Sequence, residues 1–400
     1  MQALHRLIQS PRLWPADPHK DRRVTWMELF FDLIFVAAVA QVGKSLVTDY
    51  TWAGLLRYSF LFVLIWLAWS GHTLFATRFD TDDLVQRLLT LMQSFIAAVM
   101  AANSKEALDS VDAAGFGAAY AGMRIVLVLQ YLRARRVPAT RQLTTRYSIG
   151  YAVAALLWIA SALTPIPGRY WLWSIALVVD LAVPALAAGH SAKFPPDAAH
   201  FPERFGLFTI ILLGEFVAAV MHGIESQEYW SFPAASTAFM SMAFAFIVWW
   251  WYFDGAEGSA ERHIKTKKQA VRFRLWSYAH LPLFLGIGAA GVGFEHTIAL
   301  QSDERLHNGQ GWILCAAVAT LMAALIVIGA SSEKAQKRGG VLTQVLLQFA
   351  ILAAVILLGV FADHFHRVAL VVTVLLGCVG QTILAQRGMA PKLVIAAPVG

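Results

Sequence analysis

The chain has 400 residues, 58% of them apolar and only 14% Asp, Glu, Lys or Arg, where a soluble domain carries roughly 25% charged residues. With a mean hydropathy of +0.58, that deficit excludes an ordinary soluble enzyme, which needs more polar surface than this sequence supplies. A formal net charge of +7 would suit a nucleic-acid binder, but in so apolar a chain it has to be read first against a membrane.

Residues 1–25 hold no apolar stretch followed by a small-residue cleavage site, so they are expected to stay on the chain as a cytosolic tail. A spanning helix needs about 20 mostly apolar residues. Such blocks follow at 29–47, 52–77, 84–102, 112–135, 146–164, 169–189, 205–223, 231–254, 272–295, 311–330, 341–361 and 366–386. The loops test this reading, because basic residues gather on the cytosolic side. With the N-terminus inside, the inner segments take Arg22, Arg23, Arg78, Arg87, Arg133, Arg135, Arg136, Arg141, Lys193 and Arg204. They also take the run from Arg262 to Arg274, then Lys334, Lys337, Arg338 and Arg387, while Lys105, Arg169, Arg305 and Arg367 fall outside. The basic surplus therefore marks one membrane face, where it can contact anionic lipid, and nucleic-acid binding loses its support. An even number of spans returns the tail at 387–400 to the cytosol. Cys315 and Cys378 lie inside apolar blocks, with no disulfide framework and no zinc-type spacing.

The two halves of the chain resemble each other. Glu28-Leu29-Phe30-Phe31 opens the first span and Glu203-Arg204-Phe205-Gly206 the seventh; Trp66 and Trp69 in the second match the Trp249–Trp251 run in the eighth. Arg87-Leu88-Leu89 faces Arg274-Leu275-Trp276, and Gln93 sits where the second half has His280. Three matches in one order predict two six-helix repeats, at 26–190 and 191–386. Six is even, so the repeats run parallel, related by an axis along the membrane normal.

Ionisable groups cost at least about 2.5 to 3.5 kcal/mol at the centre of a spanning helix, so those that occur point to function. Four stand out: Asp32 near the start of the first span, Arg124 in the fourth, Asp180 in the sixth and Glu215 in the seventh. Glu28 is one turn before Asp32 on the same face. Arg124 and Asp180 carry opposite charges in one half and are expected to pair, since a pair costs less than two separate buried ions. Pro184, one turn after Asp180, removes a backbone hydrogen bond beside them. On the seventh span Arg204, Ile211, Glu215 and His222 fall along one line of the helix, with Gly206 and Gly214 suited to close approach by a neighbour. That stripe reads either as a pathway or proton relay centred on Glu215, or as a neutral Glu215 acting as packing glue.

His72, Gln93, His280, Glu295 and His296 are further polar groups within or at the ends of spans. Asp363-His364-Phe365-His366 falls in a short outer loop and reads as solvated. The sequence contains no H-E-x-x-H, no G-x-S-x-G and no Walker loop, so neither a metal nor a cofactor is expected.

Several of these residues stand in phrases that resemble the LtrA family, the bacterial low temperature requirement A proteins. The phrases are Glu28-Leu29-Phe30-Phe31-Asp32-Leu33-Ile34-Phe35-Val36, Arg78-Phe79-Asp80-Thr81-Asp82-Asp83, the run from Glu203 to Glu215, Tyr252-Phe253-Asp254, Asp180 with Pro184, and His280-Leu281-Pro282 with Glu295-His296. The resemblance covers essentially the whole chain. It implies a polytopic bacterial inner-membrane protein linked by name to growth in the cold, and no substrate. Phe30-Phe31-Asp32 with Phe35 is also similar to the F-S-D-x-x-F phrase opening the six-helix repeats of certain potassium channels. Phe31 replaces the Ser here and the basic residue four before the first Phe is missing, so this implies kinship of architecture only.

The sequence thus predicts an all-α protein of about twelve spans that is a secondary transporter or channel-like permeation protein for a small solute or ion. Asp32 and Glu215 would be its coupling groups, with Arg124 and Asp180 holding geometry. Its expected partners are the lipid bilayer and that solute or ion, with a homo-oligomer left open. The alternative is a membrane-embedded enzyme acting on a lipid or lipid-linked substrate, with Asp80, Asp82, Asp83 and Asp254 holding a divalent cation on a phosphate.

Overall fold

A computed structural model describes residues 9, 11–14, 24–105, 107–108, 114–191, 193–197, 200–229, 231–256, 266–300, 306, 309–331 and 341–387. Among them are twelve long helices: α1 Trp26–Thr48, α2 Trp52–Ala76, α3 Leu84–Ala102, α4 Ala114–Ala134, α5 Arg141–Ala162, α6 Gly168–Leu186, α7 His200–Glu225, α8 Phe232–Trp250, α9 Lys267–Ala299, α10 Gln310–Ala330, α11 Val341–Val360 and α12 Arg367–Arg387. Eleven are long and apolar enough to cross a membrane. The other, α5, has 22 residues but begins with polar side chains. The protein is all-α and polytopic, with one two-residue antiparallel pair, β1 Arg12–Leu13 against β2 Phe79–Asp80.

The helix starts are fixed by side chains that satisfy the first orphan backbone donors. Thr25 and Glu28 form a reciprocal capping box on α1, Thr51 caps α2, Asp83 caps α3 and Ser231 caps α8. Beyond Trp250 the eighth helix widens into a π-type turn, Trp251–Ala256, where Asp254 accepts a 2.6 Å bond from Trp250 Nε1. α9 has 33 residues and runs through Pro282. At about 50 Å it is longer than the ~30 Å hydrocarbon core, which explains why it starts before and ends after the apolar block at 272–295.

The chain divides into two compact units. The first comprises Met1–Ala219, Arg262–Ala270 and Ile287–Val292; the second comprises Val220–Glu261, Val271–Gly286 and Gly293–Gly400. In the first, α1 packs on α2 and α3, α4 on α2 and α3, and α5 between α4 and α6. Gly150 lets α5 approach α6, since a Cβ there would meet Val183 at 2.5 Å. An aromatic cluster of Phe75, Phe79, Tyr131, Tyr147 and Tyr151 closes one end of this unit. Buried Arg78 lies over the Tyr147 ring at 5.7 Å and donates to Phe194 O and Ser191 Oγ. In the second unit α8 packs on α12, and α10, α11 and α12 pack on one another. Both cysteines are buried and unpaired with each other.

α3 shows why the fold belongs in lipid. Its large side chains Leu84, Leu88, Leu91, Met92 and Phe95 are exposed, while Gln86, Thr90, Gln93 and Ser94 face inward. A soluble helix has the opposite arrangement.

Candidate functional site

The capping box that starts α1 also builds the site. Glu28 Oε2 accepts from Thr25 N at 2.9 Å and from Thr25 Oγ1 at 3.0 Å, which fixes the carboxyl and turns Oε1 toward α7. There it meets His200 Nε2 at 3.1 Å and an Arg204 terminal nitrogen at 3.3 Å. One turn further along α1, Asp32 receives Arg204 through two nitrogens, at 3.0 and 2.5 Å, and Trp69 Nε1 at 2.7 Å. Two i,i+4 pairs therefore face each other, Glu28 and Asp32 on α1 against His200 and Arg204 on α7. The bidentate fork is the strong form of a guanidinium–carboxylate contact.

All four side chains are buried, with Asp32, His200 and Arg204 at 0% exposure. The Trp69 ring packs on Phe205 and Phe208, so the cluster is walled by aromatic groups. Two carboxylates, Glu28 and Asp32, thus face one guanidinium and one imidazole. His200 is held in place by Asp197, which accepts from its backbone N–H at 2.7 Å. Glu203 stands 3.8 Å from its Nδ1.

Beside the charged group, His72 packs its ring 4.2 Å from Phe31 and lies within hydrogen-bonding reach of the amides of Gln93 and Gln130. Gln130 Nε2 donates to Gln93 Oε1 at 3.2 Å. His72 is 1% exposed and both glutamines are 0% exposed.

Arg124 and Asp180 form a separate, balanced pair. Their ion pair is 3.0 Å long at 1% and 0% side-chain exposure. Tyr120 donates to Asp180 Oδ2 at 3.0 Å, Arg124 also donates to Tyr120 and to Leu67 O, and the guanidinium is sandwiched by the Tyr120 and Tyr151 rings. α6 runs on through Pro184 to Leu186.

The remaining candidates are scattered. Glu215 is partly exposed and eleven residues from Arg204, about 16 Å along α7, so the two do not meet. A Cβ at Gly214 would meet nothing within 4 Å, which corrects the expectation of a close neighbour there. His222 is exposed. Glu295 and His296 are half-buried on α9, where the Glu295 backbone closes on Gly223. Buried His280 accepts or donates at both ring nitrogens, to Tyr252 OH at 3.0 Å and Trp276 O at 2.8 Å. Asp363, His364 and His366 are exposed.

In the loop before α3 the acids are engaged by arginines. Asp83 caps α3 and pairs with Arg133 at 2.5 Å, and exposed Asp82 pairs with Arg87 at 2.8 Å. Asp80 forms part of β2.

Reading the residues alone missed His200, Trp69 and Gln130. His200 precedes the apolar block and follows Pro195, Pro196 and Asp197, a setting typical of a loop. Its signal was the position four before Arg204.

The family described as Bacterial low temperature requirement A protein (LtrA) matches residues 23–377. The chain is also 30% identical over 300 residues, 72% of each chain, to an uncharacterized protein, RA0937, of Rhizobium meliloti (strain 1021).

Proposed function

The chain belongs to the bacterial low temperature requirement A (LtrA) family, and from that premise we propose that this integral membrane protein is a proton-coupled secondary transporter for a small solute, with Glu28, Asp32, His200 and Arg204 carrying the exchanged proton. The observation behind this reading is that one of the two bases facing Glu28 and Asp32 is a histidine. Arg124 and Asp180 pair a permanent cation with one acid. Here a second buried carboxylate makes the net charge depend on one proton, and an uncompensated charge in a dry interior costs several kcal/mol.

The cluster joins α1 to α7, the first helices of the two six-helix repeats proposed from the sequence. Repeats of this kind move against each other in alternating access. Protonation would weaken the hold of Glu28 on Arg204 and His200, and so loosen the contact between the two helices. In this reading the protein sits in the bacterial inner membrane with both termini in the cytoplasm.

The variant that tests it is Glu28→Gln. Gln also serves at the third position of a capping box, so α1 keeps its start while the second negative charge is gone. Small-solute pools are compared by mass spectrometry in cells with and without the protein, with and without a protonophore. At least one solute is expected to change several-fold, to lose that change with the protonophore, and to lose it in Glu28→Gln. Identical pools in all conditions, or pools indifferent to Glu28→Gln, overturn the proposal.

A further inference from the structure

We infer that Glu203 is the entry for the exchanged proton, passing it from water to buried His200 and from His200 to Glu28. This deepens the transport reading and rests on it for the use to which the proton is put. The route itself stands on the geometry of one imidazole.

His200 is fully buried, and each of its ring nitrogens faces a different carboxylate. Nε2 lies 3.1 Å from Glu28 Oε1, and Nδ1 lies 3.8 Å from Glu203 Oε2. The two acids differ in their surroundings: the Glu28 side chain is 8% exposed and that of Glu203 is 43% exposed. Glu203 is in the first turn of α7, where an exposed carboxyl meets water rather than the bilayer centre. It also holds the place in the second proposed repeat that Glu28 holds in the first, so equivalent acids flank one histidine.

The Nδ1 atom is buried without a hydrogen-bond partner among the described residues, and leaving such a group unmet costs about 1 to 3 kcal/mol. Its 3.8 Å gap to Glu203 is longer than a hydrogen bond. Rotamer changes of exposed side chains take picoseconds to nanoseconds. Glu203 can therefore collect a proton from water in one rotamer and meet the ring in another.

The transfer balances. With Glu28 ionised, the Nε2 proton points at its carboxylate and Nδ1 is left as an acceptor. Glu203 gives its proton to Nδ1, Nε2 gives its proton to Glu28 Oε1, and the imidazole stays neutral in its other tautomer. The reverse step returns the proton to Glu203 and restores the first tautomer. Histidine suits this task because it exchanges protons near neutral pH. Of the other ionisable groups around it, Asp197 accepts from the His200 backbone N–H, and Arg204, a permanent cation, holds Glu28 at 3.3 Å. Glu28 meets His200 while Asp32 meets Arg204, so α1 and α7 run parallel and begin at one face. The relay opens to that face, the cytoplasmic one in the orientation proposed above.

The test follows proton arrival at Glu28 by time-resolved infrared spectroscopy of purified full-length protein in detergent after a jump to lower pH. In the wild type a carboxylic acid band is expected to grow, and Glu28→Gln identifies it by removing it. In Glu203→Gln the band should reach the same amplitude at least several-fold more slowly. Added imidazole buffer, a diffusible proton donor, should restore the wild-type rate. An acid kept on α7 only for the helix dipole would lower the unfolding temperature of Glu203→Gln without slowing the band. A Glu203→Gln rate equal to that of the wild type, or a slow rate that imidazole does not restore, overturns the relay while the proton-carrying cluster stands. A Glu28-dependent band absent from the wild type at every pH overturns both.

Discussion

Arg124 and Arg204 are both guanidiniums shut inside the helices, yet they are placed under different constraints. Arg124 has one carboxylate, a tyrosine hydroxyl, a backbone carbonyl and two ring faces, a closed set with nothing to exchange. Removing one partner strands the other: Asp180→Asn is expected to destabilise by about 3 to 5 kcal/mol, read as a lower unfolding temperature in detergent. An Arg124→Met/Asp180→Leu variant should recover most of that loss and retain solute uptake, since a buried ion pair is replaceable by well-packed apolar groups. Uptake lost in the recovered double variant would give the pair a functional part that its geometry does not suggest. Such charges were legible in the sequence because each interrupts an apolar run, which made Asp32, Arg124, Asp180 and Glu215 equally visible. What the run could not show is company. Asp32 shares Arg204 with Glu28, whereas Glu215 lies eleven residues further along α7 from Arg204.

At the scale of the helix, α1 depends on a two-residue device, Thr25 with Glu28. Thr25→Ala removes the hydroxyl that caps α1 and that also binds Glu28 Oε2, so it should cost about 1 kcal/mol of stability and lower uptake as the carboxyl loses its fixed direction. Thr25→Ser keeps the hydroxyl and should behave as the wild type in both assays; equal loss in the Ser variant would detach the cap from the site. The glycines divide in the same way between contact and open space. Gly150→Ala places a methyl on Val183 between α5 and α6, and overpacking of this kind costs about 1 to 3 kcal/mol. Gly214→Ala on α7 meets nothing and should stabilise by roughly 0.5 to 1 kcal/mol through helix propensity. Thermal unfolding of the two variants side by side checks both signs. The sequence marks glycines that permit close packing but not which of them a neighbour uses, because lipid and apolar side chains are equivalent surroundings for a bare backbone.

For the molecule as a whole, the apolar runs placed twelve helices close to their observed positions, since the ~30 Å hydrocarbon core sets a minimum length. They left helix adjacency unspecified. α5 is where the count is most exposed to error, as its first two turns carry Arg141, Gln142, Thr144, Thr145 and Arg146, which keep it out of the set picked by length and composition. Its 22 residues nevertheless reach about 33 Å, and Tyr147, Tyr151 and Trp158 bury themselves among its neighbours α4 and α6, so it should cross. The crossing decides parity: twelve spans return both termini to one side, and eleven would separate them. Exposed Ala139 precedes α5 and exposed Pro165 follows it, and the native Cys315 and Cys378 are buried, so single cysteines at the two positions report with little background. With an impermeant maleimide on intact cells, Pro165→Cys should label at once and Ala139→Cys only after lysis, because the arginines beside Ala139 favour the cytoplasm. Labelling of both positions from the same side would mean that α5 does not cross, and would place the N- and C-termini on opposite faces.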